Sequence, residues 1–451
     1  MQGMTERICR YVADLTYEKL DAATVEQVKL FIADYYAACL AGYRINKQLN
    51  DATLQLMQKM GGAEESTVLF SQQKLPASNA AFMNAIYAHG ADMDDGNRKA
   101  AGHIAVHVMS AVFAVAETVK ASWRDVITAI VVGYDVFNHV AGAAQPSLYN
   151  KGFHSTGIGG APACAAACAK LLNLGYEGIY NAVSLAAIQS SGLIIIDETG
   201  QGCKPINPAN AARTGVVSAQ LAQLGVESSR NPLESKKGWF NAFSDSIDEH
   251  TLFDGLGETF TICESYLKLY PSCRHTHCAM DAAIALRQQM LADGCSIGDI
   301  DKITVTVYPS AIKSTGNIPY PTTTDEAKFS IHYCLATALI KGCFGLDELD
   351  VAANDGYRPL VSKIELVAEP ALENRAAGIR GAKVCIQAGD KKYEETVLIP
   401  KGEASQPLTW TDITRKFGEC AGALCTATTV NDSIAALRAI APLNPFTMLR
   451  F

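Results

Sequence analysis

Charge is scarce in this 451-residue chain: 19% of its residues are Asp, Glu, Lys or Arg, against 49% hydrophobic. A disordered polypeptide has the opposite balance, so the composition calls for a large buried core. Basic excess is also missing. Lys and Arg total 38 against 46 Asp and Glu, a net charge of −8 with pI about 5.6, which argues against electrostatic binding to nucleic acid or an anionic membrane and leaves room only for a local basic pocket. No uninterrupted apolar run approaches the roughly 18 residues that a membrane span requires. The opening MQGMTERICRYVADL carries charges and lacks the apolar stretch of a secretory leader, so a cytoplasmic protein is expected. Internal repeats and low-complexity tracts are absent. Fourteen cysteines are scattered without framework spacing, which in a reducing compartment means free thiols rather than disulfides.

What is present is mostly helical periodicity. Apolar residues recur at three- and four-residue spacing over Thr5 to Leu15 and Ala23 to Leu40, and similar patterns run over Asn79 to Tyr87, His103 to Lys120 and Trp123 to Ala143. The small-residue stretch APACAAACAKLL (161–172) suits close helix packing, and Gly175 to Ser190 and Asn207 to Leu224 continue the series. Near residue 266 the texture changes. KITVTVY (302–308), SKIELVA (362–368), AKVCIQA (382–388) and YEETVLI (393–399) alternate as strands do, with helices at His277 to Ala292 and 327–340. Helix returns in ITRKFGECAGAL and DSIAALRAIA. The expected fold is mainly α: a large all-helical domain from residues 1–265 and 405–451, with a smaller α+β lid domain from 266–404, its strands in a small antiparallel sheet.

Four constellations carry ionisable groups. In AHGADMDDGNRKAAGHIAVH (88–107), three carboxylates (Asp92, Asp94, Asp95), three histidines (His89, His103, His107) and Arg98 gather at the mouth of an apolar helix. Second, KGFHSTGIGG (151–160) places His154 at a glycine-rich helix entry, which either cradles a carboxylate on free backbone N–H groups or is a tight turn with a packed histidine. No strand precedes it, so it is not a dinucleotide fingerprint. Third, GQGCKPINPANAARTG sets Lys204 in a turn between apolar helices, pointing into a cleft or into solvent. Fourth, KLYPSCRHTHC (268–278) holds Lys268, Arg274 and His277. Its Cys-His-His-Cys content invites zinc, but the spacing lacks the separated ligand pairs of a knuckle or finger, and no Glu follows His103 as in a zincin.

In this order the segments resemble the MmgE/PrpD family, whose members include 2-methylcitrate dehydratases, cis-aconitate decarboxylases and iminodisuccinate epimerases. DYYAACLAG (34–42), NAAFMNAIYAHGADMDD (79–95), GYDVFNHVAG, KGFHSTG, CKPINPANAARTG, PLESKKGWFNAFSD, KLYPSCRHTHCAMDAA and DEAKFSIHY carry the resemblance over nearly the whole chain. It implies a helical domain with an α+β lid, a homodimer, and chemistry without cofactor or metal. It also implies a cleft lined by Asp92, His103, His154, Lys204 and Lys268 as catalytic residues, with Asn97, Arg98, Arg274 and His277 nearby as substrate-binding groups. The implied substrate is a small di- or tricarboxylate from which a proton is moved next to a carboxylate. Lysines and an imidazolium stabilise enolate charge there, and a histidine protonates a leaving hydroxyl or a carbon. Which group is base and which acid stays open at this level.

Some positions depart from the pattern. Asn97 stands where one branch has His, Ile104 and Ala105 replace a Pro-Ser or Pro-Gly pair, and Ser155 replaces a Pro after His154. Tyr308 lies in a segment with no clear counterpart to the tyrosine of the decarboxylase pocket. The resemblance therefore points to a dehydratase-like hydro-lyase, with epimerisation or isomerisation next, then decarboxylation. A non-catalytic binding protein and a metal-dependent hydrolase are the competing classes.

Overall fold

A helix that is apolar on every side has to be buried on every side, and two such helices set the plan of this fold. In the computed structural model, which describes residues 3–71, 73–195, 202–374 and 378–451, the first half runs through nine long helices. They are Met4–Asp14 (α1), Ala22–Ile45 (α2), Lys47–Met60 (α3), Ala77–His89 (α4), Ala105–Val119 (α5), Trp123–Ala143 (α6), Ser155–Leu171 (α7), Gly175–Ala187 (α8) and Ile206–Gln223 (α9). α5 and α6 are the apolar pair. α6 is long and apolar enough to cross a membrane, but that stretch is wholly buried among its neighbours, as in the core helix of a packed protein. Local signals set several ends. Asp21 caps α2 by accepting from the Thr24 N–H, and Ser122 with Asp125 forms a capping box on α6.

Small residues bring helix backbones together. A Cβ on Gly42 of α2 would lie 1.9 Å from the Tyr87 carbonyl oxygen of α4, and one on Gly215 of α9 would lie 2.2 Å from Cys164 Cβ of α7. The last three glycines of KGFHSTGIGG serve the same end, from inside the helix rather than from a loop before it. The helix begins at Ser155, six residues before the expected Ala161, so Gly157, Gly159 and Gly160 lie inside it. A Cβ on Gly159 or Gly160 would crowd Ala141 or Ala211 at 2.9 Å.

The later part combines helices and strands. Helix α10 (His277–Ala292) packs on strands β3 (Ala382–Ala388) and β4 (Lys391–Val397), with α11 (Ile331–Lys341) behind it. With β1 (Lys302–Val307) and β2 (Ile364–Ala368), the sheet order is β2-β1-β3-β4. β1 pairs antiparallel with β3 but parallel with β2, so the sheet is mixed rather than antiparallel. A segment of nearly 60 residues containing α11 joins β1 to β2, long enough for the crossover that parallel pairing needs. Burial along β3 alternates strictly, with Ala382, Val384, Ile386 and Ala388 buried.

The chain then returns to the first half. Helix α12 (Trp410–Ala421), started by a Thr409–Asp412 capping box, lies on α2, and α13 (Ala427–Arg438) packs on both. This return motivates boundaries at 265/266 and 404/405, which we retain as a proposal.

Candidate active site

Residues 90–104 connect α4 to α5 and carry the first ionisable cluster. Asp92 adopts a left-handed backbone conformation, φ 50°, which costs a non-glycine residue about 1–2 kcal/mol and which Asp tolerates better than most. Three buried lysines from the second half of the chain hold that turn by its carbonyls. Lys328 Nζ donates to Gly90 O at 3.2 Å, Lys268 Nζ to Asp92 O at 2.8 Å and Lys416 Nζ to Met93 O at 2.8 Å. Asp95 fixes the far end. Its Oδ1 accepts from the backbone N–H groups of Ile104 and Ala105, capping α5 from nine residues away, and its Oδ2 accepts from Tyr134 at 2.7 Å. Burial pushes the Asp95 carboxyl up to about 7 despite these donors.

The Asp92 side chain meets two ammonium groups. Lys204 Nζ lies 2.9 Å and Lys268 Nζ 3.3 Å from its Oδ1. Burial opposes charge on Asp92, but Lys204 and Lys268 outweigh it and hold the carboxyl well below its ordinary range. Asp92 is thus shared by two ammonium groups, which leaves Lys204 and Lys268 able to pair with an incoming carboxylate. Burial lowers the Lys268 pKa, with Asp92 acting against the shift.

Beside these charges stand three imidazoles. The His89 ring is 4.8 Å from that of His103 and 6.3 Å from that of His154. His103 Nδ1 lies 2.6 Å from the Asp95 backbone oxygen. A carbonyl only accepts, so Nδ1 carries the proton and Nε2 keeps its lone pair in the neutral ring. His154 is the reverse. Its Nδ1 lies 3.2 Å from Asn207 Nδ2, which also donates to Leu193 O at 2.9 Å. That second bond fixes the Asn207 amide as donor, so His154 Nδ1 accepts and Nε2 carries the proton. Burial drives the pKa of both rings well below 6.5, aided by Lys268 at His103 and by Lys204 at His154. The two rings are therefore neutral near pH 7 and opposite in tautomer. His89 donates from Nδ1 to Asp94 at 2.8 Å and is likewise neutral through burial.

The structure thus brings Asp92, Lys204 and Lys268 into direct ionic contact, with His103 Nε2 3.8 Å from Asp92 Oδ1 and His154 beside His89. The glycine-rich beginning of the Lys204 turn, residues 200–201, lies outside the described residues. The four expected substrate-binding residues are engaged differently. Asn97 forms a turn, its Oδ1 accepting from the N–H groups of Lys99 and Ala100 and its Nδ2 reaching Ser265 Oγ at 3.4 Å. Arg98 and Arg274 both bind Glu403, at 2.8 and 2.6 Å. His277 accepts from Arg274 Nη1 at 2.9 Å. These residues tie residues 97–98 to the later segment. The exception is Arg98 Nη1, which is buried with no partner among the described residues. Tyr308 is buried, with its hydroxyl 2.5 Å from His275 Nδ1. Asn207, Lys328, Asp34 and Lys416 were not singled out from sequence. Asn207, Lys328 and Asp34 sit inside segments that carry the resemblance, whereas Lys416 lies in an ordinary amphipathic helix.

Among the described residues there is one metal-like grouping: ligand atoms of His89, Asp92, Asp94 and His103 lie within 4.8 Å of one another. The donor set is a poor fit for a cation. Asp92 Oδ1 already faces two ammonium groups, and a divalent ion bound to it would stand about 4–5 Å from both in a buried, low-dielectric setting. The Nδ1 atoms of His89 and His103 are also committed to acceptors.

Comparison with known proteins bears out the family, while the relatives carry the name of the decarboxylase, which the sequence places last of the three activities. The chain is 26% identical to the cis-aconitate decarboxylase of Aspergillus terreus over 94% of its length and 90% of that protein. It is 24% identical to cis-aconitate decarboxylase-like protein oryM of Aspergillus oryzae over 94% and 91%. It is 26% identical to the Homo sapiens cis-aconitate decarboxylase over 82% and 78%. Residues 6–250 match the MmgE/PrpD N-terminal domain and residues 270–439 the MmgE/PrpD C-terminal domain, so this protein belongs to the MmgE/PrpD family.

Proposed function

We propose that this protein is a lyase, independent of metal and cofactor, that removes water from a small hydroxylated di- or tricarboxylate in the manner of a 2-methylcitrate dehydratase. The observation that carries this reading is the opposite tautomers of His103 and His154 beside a positively charged pair of lysines. Elimination of water needs a base for the C–H proton and an acid for the departing hydroxyl. Lys204 and Lys268 neutralise a substrate carboxylate. The His103 Nε2 lone pair takes the proton from the adjacent carbon, and the electron pair passes through an enolate stabilised by the ammonium groups. It then forms the C=C bond as the C–O bond breaks. His154 Nε2–H donates to the leaving oxygen, so water departs and the proton count balances. Asp92 holds both ammonium groups in place.

Decarboxylation is the second reading, supported by the names of the relatives. Loss of CO₂ needs a proton donor at carbon, a role His154 fits, but no base. An epimerase would use the same acceptor and donor on opposite faces of one carbon. The test is proton NMR of EDTA-treated protein in D₂O with 2-methylcitrate, citrate, cis-aconitate and iminodisuccinate, with Lys268→Ala as control. Appearance of an alkene that depends on Lys268 supports the dehydratase. Loss of CO₂ from cis-aconitate or deuteration without net loss of water assigns the alternatives, and activity that returns only with added metal overturns the mechanism.

A further inference from the structure

Below the Asp92 turn lies an ion pair that the mechanism does not use. Lys416 of α12 and Asp34 of α2 meet at 2.5 Å, and both side chains are only 1% exposed. A pair so deeply buried is a weak source of stability, because desolvation of two charges offsets most of their attraction. Its geometry suggests another use. Lys416 Nζ also donates to Met93 O at 2.8 Å, the carbonyl immediately after Asp92. The other two lysines on this turn do not replace it, since Lys328 holds Gly90 O and Lys268 holds Asp92 O. Lys268 and Asp92 belong to the reacting cluster, so Lys416 is the anchor on the downstream side that stands outside it. Asp34 keeps Lys416 aimed, and it sits on the helix whose Gly42 touches α4, the element leading into the turn.

We infer that Lys416, aligned by Asp34, is a positioning residue: it locks the backbone after Asp92 so that the left-handed Asp92 presents its carboxylate to Lys204 and Lys268 together. The inference rests on the reading of the Asp92 cluster as the active site. It predicts that the pair can be removed without unfolding the protein but not without loosening the turn.

The test uses the full-length protein carrying Asp34→Leu and Lys416→Met together, which replaces the buried charges by apolar side chains of similar size, alongside Lys416→Met alone. Three quantities are read: the melting temperature, amide hydrogen exchange of residues 90–95 by mass spectrometry, and the separate kcat and KM for whichever substrate the wild type turns over. The double variant is expected to melt within a few degrees of wild type. Its 90–95 amides should exchange faster, and kcat should fall by about 100-fold, the scale of a small misplacement of reacting groups, with KM within about threefold. The single variant, which strands Asp34, should melt lower. Unchanged exchange in a folded double variant overturns the inference, as does unchanged kcat. If the double variant cannot fold, the pair is structural and the inference fails. If the wild type turns over no member of the substrate panel, the functional reading fails by itself, while the exchange rates still decide whether Lys416 locks the turn.

Discussion

At the scale of single residues, the account rests on where two protons sit. The Asp95 carbonyl sets the tautomer of His103, and the Asn207 amide sets that of His154. Burial lowers both pKa values below 6.5, so the neutral forms persist as the medium becomes more acidic than that value. The imidazole NMR resonances of His103 and His154 should therefore not shift as pH falls through 6.5, whereas the kcat/KM profile, which reports the free enzyme, should carry an acid limb near 7 as Asp95 takes up a proton. On the alkaline side it should decline below the ordinary lysine value of 10.5, because burial lowers Lys268 and the cation is lost as pH rises. Titration of either ring near 6.5 would contradict the assignment. Replacing Asn207 by Leu should lower kcat by about tenfold or more with little change in melting temperature, since it frees the tautomer of His154 without removing the ring. The histidines themselves were legible in HIAVH and GFHST. Their roles were not, because a backbone carbonyl leaves no mark in sequence and Asn207 lies 53 residues from the ring it directs.

Close packing governs the scale of elements. A methyl group on Gly42 or Gly215 would press on the backbone of one helix or the side chain of another. Gly42→Ala, which meets a carbonyl oxygen that cannot move aside, should destabilise the protein by about 3 kcal/mol, the upper part of the range for overpacking, and thermal denaturation should show it as a lower melting temperature. The same physics explains what the sequence concealed. Glycines before a helix look alike whether they free backbone N–H groups or admit a neighbouring helix, so α7 began six residues earlier than the small-residue stretch suggested. Helix periods located α5, α6 and α10 within two residues, because their apolar positions are continuous and their ends carry turn residues. Strand alternation located β1 and β3 in the same way. It could not show that β1 and β2 run parallel, since alternation is identical in both directions.

For the whole molecule, the site exists because distant segments converge. Asp92 and His103 come from the first half, Lys268 and Lys328 from the α+β part, and Lys416 from the returning C-terminal helix. Glu403, gripped by Arg98 and Arg274, fastens this convergence. Glu403→Ala leaves two partly buried guanidiniums without their carboxylate and should cost about 2–3 kcal/mol, below the loss for a fully buried pair, a drop in the urea midpoint. The expected homodimer remains a proposal, checked by light scattering, which should return twice 48.2 kDa. The mainly helical class and the gathering of Asp92, His103, Lys204 and Lys268 were legible as residue types in recognisable segments. The lysine contacts to the turn's carbonyls were not, since they depend on three chain crossings that no local pattern encodes. The most direct test of the central claim is deuterium exchange at the carbon beside the substrate carboxylate, measured in D₂O on EDTA-treated protein with a hydroxylated tricarboxylate such as 2-methylcitrate. The account predicts that His154→Asn still exchanges that proton but forms no alkene, whereas His103→Asn does neither; exchange at the wild-type rate in His103→Asn would contradict it.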